Sequence, residues 1–237
     1  MEKYQIKLFK RADKLIFETI DAQEIFCTRY NYNIVNTFVV GNRLNQIFLK
    51  PQLWQNRAFN FDTTNTILCL SANYKHKNIA IIPGVIDSMK ELGLEDFKFV
   101  LSLNKEEVDF ETKYDEYIEY LGKLPLEVLP SLFQSVDLLF MPTLLECFST
   151  TYLEAMFMGV PIVTTDMSFA RDICRNAALY YNPLKPEAAA RDIKKIILNK
   201  DVRLKLVNNG KQNLKRFGSS EDRTREYLRI INETLSL

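Results

Sequence analysis

The sequence predicts a doubly wound α/β domain built on a parallel sheet, preceded by a fragment of another sheet domain. Three observations predict it. From Thr66 onward, short apolar runs alternate with stretches of helical period, the pattern of strands joined by crossover helices. Residues 136–141 and 161–164 are almost uninterrupted apolar runs, as strands covered on both faces are. Gly93 and Gly159 stand where intervening helices should close, a position at which glycine adopts the left-handed conformation without penalty.

Before Thr66 the alternation is incomplete. Leu15-Ile16-Phe17 reads as a strand, residues 21–30 as a helix, and residues 36–42 as a strand running into a turn. Residues 51–65, with Pro51, Trp54 and several asparagines, hold no sustained period and read as a linker, which puts a boundary near Asp62. Residues 67–71 then form a strand. Residues 78–92 carry Ile81, Ile82, Val85, Ile86 and Met89 at helical spacing, and residues 97–103 form the next strand, so two strands flank a helix in a parallel unit. A strand over residues 117–122 and a short helix over 125–134 follow. Between the two apolar runs, Ser149 or Thr150 caps a helix that ends at Gly159. Residues 178–181 make the last strand, and helices fill 186–199, 201–217 and 219–237.

Composition excludes several classes of function. Lysine plus arginine number 31 against 30 acidic residues, and the basic ones form no block, so nucleic acid is not an expected partner. The four cysteines are scattered without zinc-type spacing and read as reduced thiols in a cytoplasmic protein. No stretch approaches the ~18–20 apolar residues of a membrane span, and the start lacks a signal-peptide core. The seven glycines form neither G-x-G-x-x-G nor a Walker loop, and His76, the lone histidine, cannot build a histidine metal site. No two aspartates are spaced as D-x-D, so the charge of a bound diphosphate would have to be met by protein groups rather than by a metal.

Two segments could meet such a charge. Residues 71–78, Ser-Ala-Asn-Tyr-Lys-His-Lys-Asn, bring two lysines to the end of the first long strand and to the predicted start of a helix. Residues 142–161 lead from one buried strand through a loop and a helix into the next, with Glu146 in the loop and Glu154 in the helix. In open parallel sheets both segments fall at the carboxyl edge, where ligands bind. Loop reach and helical rise place the two carboxylates roughly 10–15 Å apart. That exceeds the ~9.5 Å limit of paired carboxylates in sugar-cleaving enzymes, so the two fit opposite ends of one long ligand better than an acid/base pair. Spacing alone also allows two ordinary surface glutamates.

The pattern Pro142-Thr143, Glu146-Cys147-Phe148-Ser149, Leu153-Glu154-Ala155-Met156 and Gly159-Val160-Pro161-Ile162-Val163 resembles the Glu-x7-Glu signature of the retaining GT-B glycosyltransferases of family four, also called group 1. Tyr74-Lys75-His76-Lys77-Asn78 is similar to that family's donor-phosphate loop, and the resemblance runs from about Ala12 to Phe217. It implies that Glu146, as the catalytic carboxylate, contacts hydroxyls of the donor sugar, and that Glu154 holds the ribose of the nucleotide. It implies further that the amides of Cys147, Phe148, Ser149 and Thr150 face the diphosphate with Lys77, and that Gly122, Lys123 and Leu124 flank the base. The expected donor is a UDP- or GDP-linked sugar, with no cofactor and no metal, transferred with retention to a glycan or lipid-linked acceptor.

On this reading residues 1–62 are a remnant of the acceptor domain plus linker, residues 63–218 a Rossmann-like donor domain, and residues 219–237 a closing helix. Two departures stand out. Ala72 occupies a position where many members carry arginine, which leaves diphosphate neutralisation to Lys77 with Lys75, and most of the acceptor domain is missing. The alternative is a non-catalytic nucleotide-sugar-binding subunit, or inactive fragment, that needs a separate acceptor-domain chain. GT-B epimerases and phosphorylases fit less well, since no cofactor-lysine context stands out. Attachment to the inner face of a membrane is a further expectation borrowed from the family.

Overall fold

The computed structural model describes residues 2–236. A first unit contains α1 (Glu2–Phe9), β1 (Leu15–Phe17), α2 (Ile20–Tyr30) and β2 (Thr37–Val39), with β1 and β2 parallel and Leu15 opposite Thr37. Thr19 caps α2 by accepting the amide of Ala22, and Asn31 ends it in the left-handed conformation. Phe9, Phe17, Tyr30 and Tyr32 gather around Phe26, with ring centroids 5.0–5.7 Å from it.

The larger unit holds β3 (Thr66–Cys69), α3 (Ile82–Glu91), β4 (Lys98–Leu101), β5 (Ile118–Tyr120), α4 (Leu129–Gln134), β6 (Leu138–Met141), α5 (Thr150–Met158), β7 (Ile162–Thr165), α6 (Ser168–Cys174), β8 (Ala178–Tyr181), α7 (Pro186–Leu198) and α8 (Lys200–Leu214). Its six strands are all parallel in the order β5-β4-β3-β6-β7-β8. The chain thus builds outward from β3 to β5, then returns to the other side of β3 with β6. The reversal between β3 and β6 is the switch point at which a crevice opens beyond the carboxyl ends of the strands.

Alternation along the strands divides the core in two. Ile67, Cys69, Leu138 and Phe140 face a layer formed with α3 and α7, whereas Leu68, Leu139 and Met141 face one formed with α4, α5 and α6. Burial on both faces explains why residues 136–141 lack polar alternation. Segment 44–61 packs into the second layer through Leu44, Ile47, Phe48, Trp54, Phe59 and Phe61, and the Trp54 indole donates to the carbonyl of Ile47 at 2.7 Å. Finally α9 (Ser220–Leu235) returns to the first unit, where Arg43 pairs with Glu226 at 3.3 Å and Arg229 lies over the Phe38 ring.

Two elements differ from the sequence expectation. The helix expected from Asn78 starts at Ile82, because Asn78 takes φ 52° and separates two short 3₁₀ turns, Lys75–Lys77 and Ile79–Ile81. The short helix α6 carries no expectation at all; it has seven residues and ends at Arg175, with φ 49°, rather than at a glycine.

Candidate active site

The switch point brings together the two segments singled out above. After β3, the chain turns at Tyr74 and presents Lys77 from a 3₁₀ turn. After β6, Pro142 ends the strand and Glu146 lies in the loop before α5. Lys77 Nζ bonds Glu146 Oε1, and both side chains are largely shielded, at 20% and 12% exposure. The loops are also tied through their backbones. Leu144 donates to the carbonyl of His76 at 2.7 Å, and the Thr143 hydroxyl donates to the same carbonyl at 3.3 Å.

The loop after β6 is held from below by a ladder of hydroxyls. Thr165 donates to the carbonyl of Thr143 at 2.6 Å, Thr164 donates to that of Met141 at 3.0 Å, and Tyr152 shares a 2.8 Å hydrogen bond with Thr164. Thr143, Tyr152, Thr164 and Thr165 are all buried. These contacts fix where α5 begins. Ser149 is its N-cap but its side chain accepts no amide, so the first-turn N–H groups stay available to an anion. Glu154, one turn further along α5, is 4% exposed. Burial pushes its carboxyl up to about 7, against a smaller lowering by a hydrogen bond from Thr150.

A second region lies beyond β3, β4 and β5. A cavity of about 360 Å³ is lined by Leu70, Ser71, Ser102, Glu107, Lys123 and Leu124 among others. Gly122 takes φ +65°, and a Cβ there would stand 2.6 Å from Asn104 Oδ1, so the turn requires glycine. In the sheet order three inter-strand steps separate β5 from β6, or roughly 14 Å at ~4.8 Å per step. Lys123 and Leu124 therefore sit well away from Glu146, along the same sheet edge.

The family model for glycosyl transferases group 1 matches residues 52–213, more than half of the chain. The chain belongs to this family. Among curated relatives, this group 1 glycosyltransferase is 23% identical over 181 residues to the O-antigen chain mannosyltransferase RfbU of Salmonella typhimurium, a match covering 73% of this chain and 48% of RfbU. It is also 25% identical over 99 residues to the uncharacterized glycosyltransferase MJ1607 of Methanocaldococcus jannaschii, covering 41% and 25% of the two chains. Solved structures share the GT-B fold. TarM aligns with a TM-score of 0.75 at 16% identity, over 98% of this chain and 46% of TarM. Anabaena Alr3699/HepE in complex with UDP and glucose aligns at 0.71 and 16% identity, over 95% and 63%. The chain thus spans half or less of its curated relatives' length.

In this group 1 glycosyltransferase the expected site residues fall into three places. Lys77 and Glu146 are in contact. Cys147, Ser149 and Thr150 lie at the start of α5 with Glu154 buried behind them. Gly122, Lys123 and Leu124 form the remote end. The Phe148 ring turns toward the first unit, packing edge-on against Phe217 at 5.8 Å and within 3.4 Å of the Cβ position of Gly41. Cys147 is exposed, whereas burial raises Cys69 to about 12 and keeps that thiol protonated beside Lys77. Sequence reading missed the hydroxyl ladder of Thr143, Tyr152, Thr164 and Thr165. A threonine pair closing an otherwise apolar strand was its one visible signal.

Proposed function

We propose that this chain is the donor-binding half of a retaining, metal-independent glycosyltransferase, and that it grips a nucleoside diphosphate sugar along the carboxyl edge of its six-stranded sheet. The observation that carries this reading is the Lys77–Glu146 pair at the switch point, set beside the uncapped start of α5. Glu146 Oε1 is engaged by Lys77, which leaves Oε2 to accept a sugar hydroxyl, while Lys77 keeps further N–H donors for a phosphate oxygen. The α5 amides, carrying roughly half a positive charge, supply the rest of the compensation.

The base then occupies the cavity beside Lys123 and Leu124, and the ribose hydroxyls reach Glu154. The ~14 Å between the β5 and β6 ends suits an extended nucleotide sugar and not a compact ligand. As the sugar–phosphate bond breaks, the negative charge on the departing diphosphate grows, and fixed N–H donors and Lys77 stabilise it more than the ground state. Attack on the face from which the diphosphate leaves retains the anomeric configuration. The D-x-D pair that holds a metal on a diphosphate is absent from the sequence, which favours compensation by protein groups. The relatives' names, a mannosyltransferase and UDP-bound structures, point to a hexose donor and to glycan assembly.

Calorimetric titration with UDP, GDP and their sugars, in chelator and again with added magnesium, tests this reading. Binding of at least one diphosphate, equal in both buffers, is expected; a requirement for magnesium would remove the metal-independent mechanism. In slow hydrolysis of the donor, the first sugar anomer seen by proton NMR should be the donor's own.

A second reading is favoured by one observation. Among the described residues, β1 and β2 form a parallel sheet of two strands, in which no residue of β1 is buried, although parallel sheets are ordinarily covered on both faces. That edge suits further strands of an acceptor domain, in a separate chain or a longer one. Transfer would then depend on supplying them.

A further inference from the structure

Between the first unit and the larger one lies a pocket of about 200 Å³ that the proposed donor site touches only through Phe148. Lys77, Glu146 and Glu154 do not line it. Its polar wall is made by Glu18 after β1, Arg43 after β2, Asp172 in α6, Arg216 after α8 and Glu226 in α9. Phe148 and Phe217 supply an apolar wall. The charged groups are fixed by bonds that leave part of each unused. Arg43, with its side chain 12% exposed, donates from Nη1 to the carbonyl of Gly41 at 2.6 Å and from Nη2 to Glu226 Oε2 at 3.3 Å. Its Nε is buried and has no partner among the described residues. Buried N–H groups are nearly always bonded, so this one calls for an acceptor from outside the chain. Asp172 accepts the Ile20 amide on Oδ2 at 3.1 Å, and Glu18 accepts the Asn42 side chain on Oε1 at 2.8 Å. Among the described residues, Asp172 Oδ1, Glu18 Oε2 and Glu226 Oε1 accept no hydrogen bond.

We propose that this pocket binds a single neutral pyranose, a sugar ring other than the one carried by the donor. A hydroxyl both donates and accepts, so ring hydroxyls satisfy the three free carboxylate oxygens and the Arg43 Nε–H together, while the C–H faces of the ring lie against Phe148 and Phe217. The balance of charge selects a neutral ligand. Arg223 stands 3.8 Å from Glu18, which makes three guanidiniums against three carboxylates. A lone anion or cation would therefore meet as much repulsion as attraction, and no group of metal-binding residues exists among the described residues. A free amino acid fits less well, because its carboxylate would find one unused donor, Arg43 Nε–H, where it needs several. The volume is below the ~300 Å³ at which drug-sized sites begin, which suits one ring and not a chain of them. A free monosaccharide and the terminal unit of a glycan share this chemistry. The proposal goes beyond the donor-site reading and does not depend on it.

Saturation-transfer NMR on the whole chain tests this with methyl α-mannopyranoside, methyl α-glucopyranoside and the matching disaccharides, each in the millimolar range, with and without UDP or GDP. Transfer to at least one sugar is expected, and it should persist when nucleotide is added. Tighter binding of a disaccharide supports the proposal with a glycan end as the ligand, and tighter binding of a methyl glycoside supports it with a free sugar. Amide shifts of Gly41 and Phe148 in wild type should follow the titration, which locates the site without any variant. Glu18→Gln/Asp172→Asn keeps both shapes but replaces charged acceptors with neutral ones, and should weaken the sugar at least about fivefold. Arg43→Lys, which removes the Nε–H, serves if the double variant misfolds by circular dichroism. Absence of transfer from every sugar, undiminished binding in the variants, or a stronger response to glycine would overturn the proposal. So would displacement of the sugar by nucleotide with shifts confined to residues 144–154, which would place it in the donor site instead.

Discussion

Lys77 and Glu146 meet across the point where the strand order reverses, 69 residues apart in the chain and in the loops that follow the neighbouring strands β3 and β6. The contact joins the two loops best placed to receive a ligand, and it leaves each partner with hydrogen-bonding capacity unused. An ion pair that is only partly shielded contributes little to stability by itself. On the proposed reading, its value lies in holding a cation and a carboxylate at fixed positions before any ligand arrives.

The two partners should separate under mutation. Lys77→Ala is expected to weaken nucleoside diphosphate binding by about tenfold or more, since a charge-assisted contact to phosphate is worth ~1.5–3 kcal/mol. Glu146→Gln should leave diphosphate affinity nearly intact while abolishing the preference for nucleotide sugar over bare nucleotide. Calorimetry with both ligands on both variants measures this; undiminished diphosphate affinity in Lys77→Ala would remove Lys77 from the site.

Glu154 gives a pH dependence whose sign follows from its burial. Its folded value, about 7, lies above the ordinary 4.5, so the folded state binds the proton more tightly than the unfolded chain does. This contribution to stability is fully present below about 4.5 and is lost as pH rises through about 7. It amounts to roughly 3 kcal/mol at most. Glu154→Gln should therefore flatten the fall in melting temperature across that window. If Glu154 holds the ribose as proposed, the contact needs the ionised acceptor, so nucleotide affinity should rise over the same range in wild type and not in the variant. A flat wild-type affinity profile would separate Glu154 from the ribose.

Gly122 tests the proposed base end. Alanine there meets both a left-handed backbone angle and a Cβ placed 2.6 Å from Asn104 Oδ1. Gly122→Ala is expected to cost about 1–3 kcal/mol and to lower the melting temperature, with weaker nucleotide binding as the turn before Lys123 shifts. Gly93 takes φ +78° but has nothing within 4 Å of its Cβ position, so Gly93→Ala should cost less. Thermal melts of the two variants side by side make the comparison.

Thr165 tests the support of the loop that follows β6. Thr165→Val keeps the shape of a buried side chain but removes the 2.6 Å hydrogen bond to the carbonyl of Thr143, leaving that acceptor unpaired at a cost of ~1–3 kcal/mol. Because Thr143 precedes Glu146 by three residues, affinity for a nucleotide sugar should fall more than affinity for the bare diphosphate. An equal loss for both ligands would make Thr165 a purely structural residue.

The sequence alone determined the layered α/β class and the position of nearly every strand. Parallel strands buried on both faces must be apolar throughout, so residues 136–141 and 161–164 could be read without any contact information. It also singled out the candidate site residues, through the spacing of Glu146 and Glu154 and the lysines that follow the first long strand. Local backbone detail was less legible. That α3 begins at Ile82 depends on Asn78 adopting a left-handed angle, which its side chain permits but does not require.

Only the tertiary structure decided what those residues meet. Lys77 finds Glu146 because β6 returns to pair with β3, a long-range choice set by packing on both faces of the sheet and invisible to any local period. Glu154 becomes a raised carboxylate rather than an exposed helical glutamate because α5 is buried against α4 and α8, and desolvation is a property of neighbours brought together by folding. An apolar groove floored by Leu44, Phe157, Leu214 and Phe217 arises in the same way, from three segments that are separate in sequence and adjacent only in the fold.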